Sequence, residues 1–181
     1  MIPLTSKVTK TLLSYFFLHD NDSLYANEMT RKFDIDKRNL VKKLKELEQE
    51  TLFKTEKKGN GIYYSVNKKH PLFQEYRKIV LKTYGIENQL REILQRITGI
   101  DEAYIIGSYV KDKMDVHSDI DVLVIGDVSI VELHKKISDL QKNISREINV
   151  INMDKKEMEK KKKEKDSFVK QVFRDKKIRI I

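Results

Sequence analysis

Between residues 103 and 125 the chain sets two acidic residues at the head of what is otherwise a core strand. Ala103-Tyr104-Ile105-Ile106 is a short apolar run that ends on Gly107-Ser108. Ser118-Asp119-Ile120-Asp121 then leads into the aliphatic run Val122-Leu123-Val124-Ile125. Side chains along a strand alternate between its faces, so Asp119 and Asp121 share one face. A core strand has no need of two carboxylates, and the pair repel each other unless a cation sits between them. Paired carboxylates on rigid backbone suit magnesium, a hard cation that takes oxygen ligands and bridges to phosphates. Gly107 allows a backbone to come close to a phosphate, and Ser108 offers a hydroxyl to it. Ser118 stands at the mouth of the same site, and Lys111 adds positive charge toward a triphosphate. The chemistry such a site performs is in-line displacement at the α-phosphate of a nucleoside triphosphate, taken here as ATP.

Other classes of site are excluded more simply. The chain has no cysteine, which removes disulfides and thiolate metal centres and suits a reducing, cytoplasmic setting. Its four histidines are scattered without paired spacing, so no zinc site is expected. No apolar run approaches the length of a membrane span, and Leu12 to Leu18 is too short and too interrupted for a signal peptide.

The formal charge of +9 is unevenly spread. Residues 1–84 hold seventeen Lys and Arg against ten Asp and Glu, whereas the remainder holds twenty against eighteen. An anionic partner for the N-terminal half follows from that imbalance, although a lysine-rich surface also serves solubility alone.

That half reads as helices followed by a hairpin. Val8, Leu12, Leu13, Phe16 and Phe17 lie on one helical face, with Thr5 or Ser6 as the cap. A second helix is expected over Ala26–Phe33. A third, capped by Asp36, runs to Gln49 with Leu40, Leu44 and Leu47 inward. Two β runs, Leu52–Thr55 and Ile62–Val66, flank Glu56-Lys57-Lys58-Gly59-Asn60-Gly61, which favours a hairpin. Three helices and a basic hairpin in this order resemble the winged helix-turn-helix domains of prokaryotic transcription regulators. The resemblance implies that the third helix enters the major groove of double-stranded DNA, presenting Lys37, Arg38, Asn39, Lys42 and Lys43. Lys57 and Lys58 at the hairpin tip would lie along phosphates or the minor groove. Regulators of this kind are expected to act as homodimers.

A helix over Leu72–Tyr84 is read as a connector, and another over Glu87–Thr98 as the start of the second domain. In the second half, Val131–Lys142 is read as a helix and Arg146-Glu147-Ile148-Asn149-Val150-Ile151 as a strand beside the aspartate strand. The lysine-dominated stretch from Lys155 to Lys165 carries glutamates at helical spacing, which favours an exposed helix over a nucleic-acid tail. Phe168, Val169, Val172 and Phe173 resume a helical face, and Ile178–Ile181 is expected to form a final short strand.

Gly107-Ser108 followed by Asp119-Ile120-Asp121 resembles the signature of the DNA polymerase beta-like nucleotidyltransferases, most closely the small prokaryotic members known as minimal nucleotidyltransferases. The resemblance covers residues 87–181. It implies that the Gly-Ser pair contacts the triphosphate and that Asp119 and Asp121 bind the metal ions. A third carboxylate comes from a neighbouring strand in that superfamily. Here Asn149 stands at the aligned position, with Glu147 two residues earlier on the same face as a substitute. Val110 and Asp112 also occupy positions where small residues are usual.

The chain is therefore read as α+β, an N-terminal winged helix-turn-helix followed by a small mixed-sheet nucleotidyltransferase fold. Its parts are residues 1–70, a helical connector at 71–86, and residues 87–181. The leading function is a DNA-binding regulator whose second domain binds magnesium-nucleoside triphosphate, with transfer of the nucleotidyl group left open. One alternative is a minimal nucleotidyltransferase that adenylylates a partner protein. The other is a catalytically inactive nucleotide sensor.

Overall fold

Separate hydrophobic cores form in Met1–Ile86 and Glu87–Ile181, in a computed structural model that describes residues 4–111 and 118–181. In the first unit, Ser6 starts helix α1 (Lys7–Leu18) by accepting a hydrogen bond from the Thr9 amide. Its Leu12, Leu13, Phe16 and Phe17 are fully buried. The two-residue strand β1 (Leu24–Tyr25) leads into α2 (Ala26–Phe33), which ends where Asp34 turns left-handed at φ 49°. Asp36 then caps α3 (Lys37–Gln49), its carboxylate accepting from the Asn39 amide at 3.0 Å. That bond satisfies one of the helix's orphan N–H donors.

The strands β2 (Phe53–Lys58) and β3 (Gly61–Val66) pair antiparallel, and β1 joins on the far side of β3 to give the order β1-β3-β2. The hairpin is longer than the sequence suggests. Lys57 pairs with Ile62 and Lys58 with Gly61, so only Gly59 and Asn60 turn the chain. Gly59 takes φ +57°, a conformation glycine adopts without penalty. Helix α4 (Phe73–Thr83), in the region read as a connector, packs on α1 within this unit. Phe73 meets Phe17 edge-on at 5.6 Å, and Arg77 donates to the Phe17 carbonyl at 3.1 Å.

Helix α5 (Ile86–Leu94) lies in the second unit from Glu87 onward and ends earlier than the periodicity implied. A four-stranded sheet follows, built from β4 (Ile100–Ile106), β5 (Ile120–Gly126), β6 (Ile148–Met153) and β7 (Ile178–Arg179) in the order β6-β5-β4-β7. It is mixed: β5 and β6 run parallel, joined across by α6 (Ile130–Ile144), and the other pairs are antiparallel. Helices α7 (Lys155–Lys163) and α8 (Ser167–Arg174) cover one face. There Tyr104, Ile106, Leu123, Ile125, Met153, Met158, Val169 and Val172 form one apolar cluster. The lysine-rich segment is thus an exposed helix anchored by Met158, with Asp154 as its cap. Among the described residues no helix is long and apolar enough to cross a membrane.

This topology brings four strand termini to one edge of the sheet. The end of β4 lies beside the start of β5, the start of β6 is in register with the start of β5, and β7 starts beside the end of β4. The acidic residues picked out from the sequence all lie on that edge.

Candidate active site at the edge of the second sheet

Ile106, the last residue of β4, pairs with Asp121 in β5, so the chain leaves the sheet directly beside that aspartate. It leaves through Gly107 at φ +77°. A Cβ at this position would come within 2.3 Å of Asp121 Oδ2, a separation that carbon and oxygen cannot tolerate. Glycine suits this position twice, for the backbone angle and because a side chain there would push the Asp121 carboxylate aside. The Asp121 carboxylate is the group that a side chain at position 107 would meet first.

Asp121 is half-buried, and Asp119, just outside the strand, is exposed. On the neighbouring strand Asn149 is the register partner of Asp121. Its side-chain amide donates to Asp121 Oδ1 at 3.1 Å. Asp121 is thus held on one oxygen by Asn149 and faces Gly107 with the other. The Ile120 amide donates to the Glu147 carbonyl at 3.0 Å, which sets exposed Glu147 alongside Asp119. Among the described residues no three acidic or histidine side chains come close enough to hold one ion. Asp119 and Asp121 are the two carboxylates that β5 itself brings to this end of the sheet.

The turn after Gly107 is tied down at both ends. The Lys111 amide donates to the Ser108 carbonyl at 3.2 Å. Tyr109 is buried, and its hydroxyl donates to Glu87 Oε1 in the first turn of α5 at 3.2 Å. The Lys111 ammonium bonds Asp175 Oδ2 at 2.7 Å, just past the end of α8. That hydrogen bond holds the Asp175 carboxyl below its ordinary range, against an upward push from burial. Half-buried Ser118 uses its carbonyl to accept from Arg146 Nη1 at 3.2 Å. Val110 is half-buried, and Asp112 lies outside the described residues.

Gly107, Ser108, Ser118, Asp119, Asp121, Glu147 and Asn149 therefore all sit at one sheet edge, and Lys111 is turned toward Asp175. Sequence reasoning missed Glu87, Tyr109, Arg146 and Asp175. Their partners lie between 22 and 64 residues away, and no local pattern marks contacts at that range.

In the first unit, Lys37, Arg38, Asn39 and Lys42 are exposed along α3, whereas Lys43 is half-buried and bonded to Glu46 at 2.6 Å. Lys57 and Lys58 are exposed on the hairpin. Lys58 lies 3.2 Å from Glu56 and over the Tyr63 ring.

Comparison with known proteins gives a family match over the second unit. Residues 87–179, just over half of the chain, match the nucleotidyltransferase domain family. No curated protein matches the chain. Among solved structures, a toxin–antitoxin crystal structure with AMP-PNP aligns at 15% identity and TM-score 0.40, over 52% of this chain and 72% of that one. A mutant of the toxin–antitoxin pair MntA-HpeT aligns at 13% identity and TM-score 0.40, over 53% of this chain and 73% of that one.

Proposed function

The chain belongs to the nucleotidyltransferase domain family, and from that premise we propose that it transfers a nucleotidyl group, adenylyl from ATP, onto a partner protein. One observation carries the reading: the Asp121 carboxylate lies against Gly107, where a Cβ would come within 2.3 Å of its Oδ2, with Asp119 two residues before it. A buried structural aspartate would be satisfied by surrounding donors. Among the described residues, the Asn149 amide is the side-chain donor bonded to the Asp121 carboxylate.

Asp119 and Asp121 would hold magnesium, which when bound supplies charge neutralisation for the triphosphate and the leaving group. Glu147 or Asn149 completes the site, Ser108 and Ser118 orient the phosphates, and Lys111 adds charge. A hydroxyl oxygen of the acceptor attacks the α-phosphorus. The bond from that phosphorus to the bridging oxygen breaks and pyrophosphate leaves. The hydroxyl proton passes to a carboxylate of this edge, for which Glu147 is the exposed choice.

Incubation with α-labelled ATP, magnesium and candidate partner proteins tests this. Label is expected on a partner, falling by about a hundredfold or more in Asp119→Ala and Asp121→Ala, the scale of losing one group that stabilises the transition state. Label that persists in both variants would sink the assignment.

A second reading belongs to the first unit: a winged helix that docks on duplex DNA, as a dimer reading paired half-sites. It is supported by a hairpin that follows three helices and is joined at β3 by β1 from between α1 and α2, together with exposed Lys37, Arg38, Asn39 and Lys42 on α3 and Lys57 and Lys58 on the hairpin. The partner protein and the DNA need not compete, since the two readings rest on different units.

A further inference from the structure

The turn that follows β4 has two long-range ties that the transfer reading does not use. Tyr109 is 5% exposed and Glu87 is 8% exposed, so their hydrogen bond is sheltered from water. A carboxylate that is this buried is costly unless it is bonded, and Tyr109 supplies a donor to it. The second tie, from Lys111 Nζ to Asp175 Oδ2 at 2.7 Å, crosses 64 residues of sequence. Its side chains are 38% and 25% exposed, so water only partly screens it. The two ties hold the third and fifth residues of a five-residue stretch that begins with Gly107-Ser108, one from α5 and the other from the end of α8.

We propose that these ties are a two-point clamp on the triphosphate-binding turn, which makes Glu87 and Asp175 positioning residues for the β- and γ-phosphates. The clamp rests on the transfer reading of the site. The chemistry behind it is preorganisation: Ser108 and the Lys111 ammonium are useful to a triphosphate only if the turn already holds its shape, because ordering it on binding would consume affinity. Asp175 also decides where the Lys111 ammonium waits before nucleotide arrives. AMP has no β- or γ-phosphate, so it gains nothing from the clamp.

Hydrogen exchange of the full chain, followed on peptides spanning residues 104–111, measures the clamp without nucleotide. Exchange should quicken by about two- to fivefold in Tyr109→Phe and in Asp175→Ala, the scale of one partly screened tie. Slow exchange should return when Lys111→Asp is combined with Asp175→Lys, which rebuilds the pair in reverse. Calorimetry with magnesium and either ATP or AMP measures the positioning role. ATP binding should weaken by a similar factor in Asp175→Ala while AMP binding holds. Unchanged exchange in both variants overturns the clamp, and equal weakening of ATP and AMP overturns the positioning role. Wild-type protein that binds no ATP at all overturns the transfer reading itself, and the clamp's role with it.

Discussion

Gly107 and Asp121 occupy one another's space, and that coupling can be measured as well as described. An alanine at 107 must take φ +77° and also place its Cβ 2.3 Å from Asp121 Oδ2. The backbone part costs about 1–2 kcal/mol and the overpacking about 1–3 more. In an Asp121→Ala background the carboxylate is gone and the backbone cost remains. Gly107→Ala should therefore cost roughly twice as much stability in the wild-type background as in Asp121→Ala, by urea denaturation of the four proteins. Equal costs would mean that the carboxylate does not lie against the glycine. The Gly-Ser and Asp-x-Asp pattern makes it legible that these residues gather in one place, because strand alternation fixes which side chains share a face. Their mutual packing is not legible. Nor is the bond from Asn149 to Asp121, which depends on the register between two strands joined by a long helix. In the sequence Asn149 reads as a missing carboxylate; the amide it contributes to Asp121 is visible only once β5 and β6 are paired.

At the scale of whole elements, the helices are legible to within a few residues, and the hairpin is legible too except for the length of its strands. Caps mark α1 and α3 because Ser6 and Asp36 each accept from the amide three residues on. Glu56, Lys57 and Lys58 read as a loop because a polar run in sequence looks like one. In the structure they extend β2, whose side chains beyond Phe53 are exposed, and an edge strand carries lysines readily. The turn that results offers a contrast with Gly107. Gly59 has φ +57°, yet a Cβ there meets nothing within 4 Å. Gly59→Ala should cost only the backbone part, about 1 kcal/mol, and Gly59→Asn less again, since asparagine tolerates the left-handed region. Thermal or urea denaturation checks the order. A larger loss for alanine, on the scale expected at Gly107, would mean that the hairpin turn is packed against something.

For the molecule as a whole, the charge imbalance and the family match fall on different units. The basic excess lies in residues 1–84, whereas residues 87–179 carry the match to the nucleotidyltransferase domain. Composition shows that imbalance, but it cannot say which lysines are engaged by acidic neighbours. Lys43 with Glu46 and Lys58 with Glu56 have such neighbours within 3.2 Å, so net charge overstates what a phosphate backbone would meet. Arg38 and Lys42 are exposed on α3 and are the better probes. Replacing both with alanine should weaken duplex binding and lower the slope of log affinity against log salt by up to about two, one unit for each phosphate that is no longer neutralised. The same protein should bind magnesium-ATP as the wild type does, because Asp119, Asp121 and the turn after β4 belong to the other unit. Asp119→Ala should do the reverse, keeping the duplex slope while losing ATP. Filter binding across a salt series and calorimetry on the same preparations give both readouts. Wild-type protein with no salt-sensitive affinity for any duplex would remove the DNA reading and leave the first unit as a docking module for protein. A change in ATP binding on Arg38→Ala and Lys42→Ala would instead mean that the two units act on one ligand.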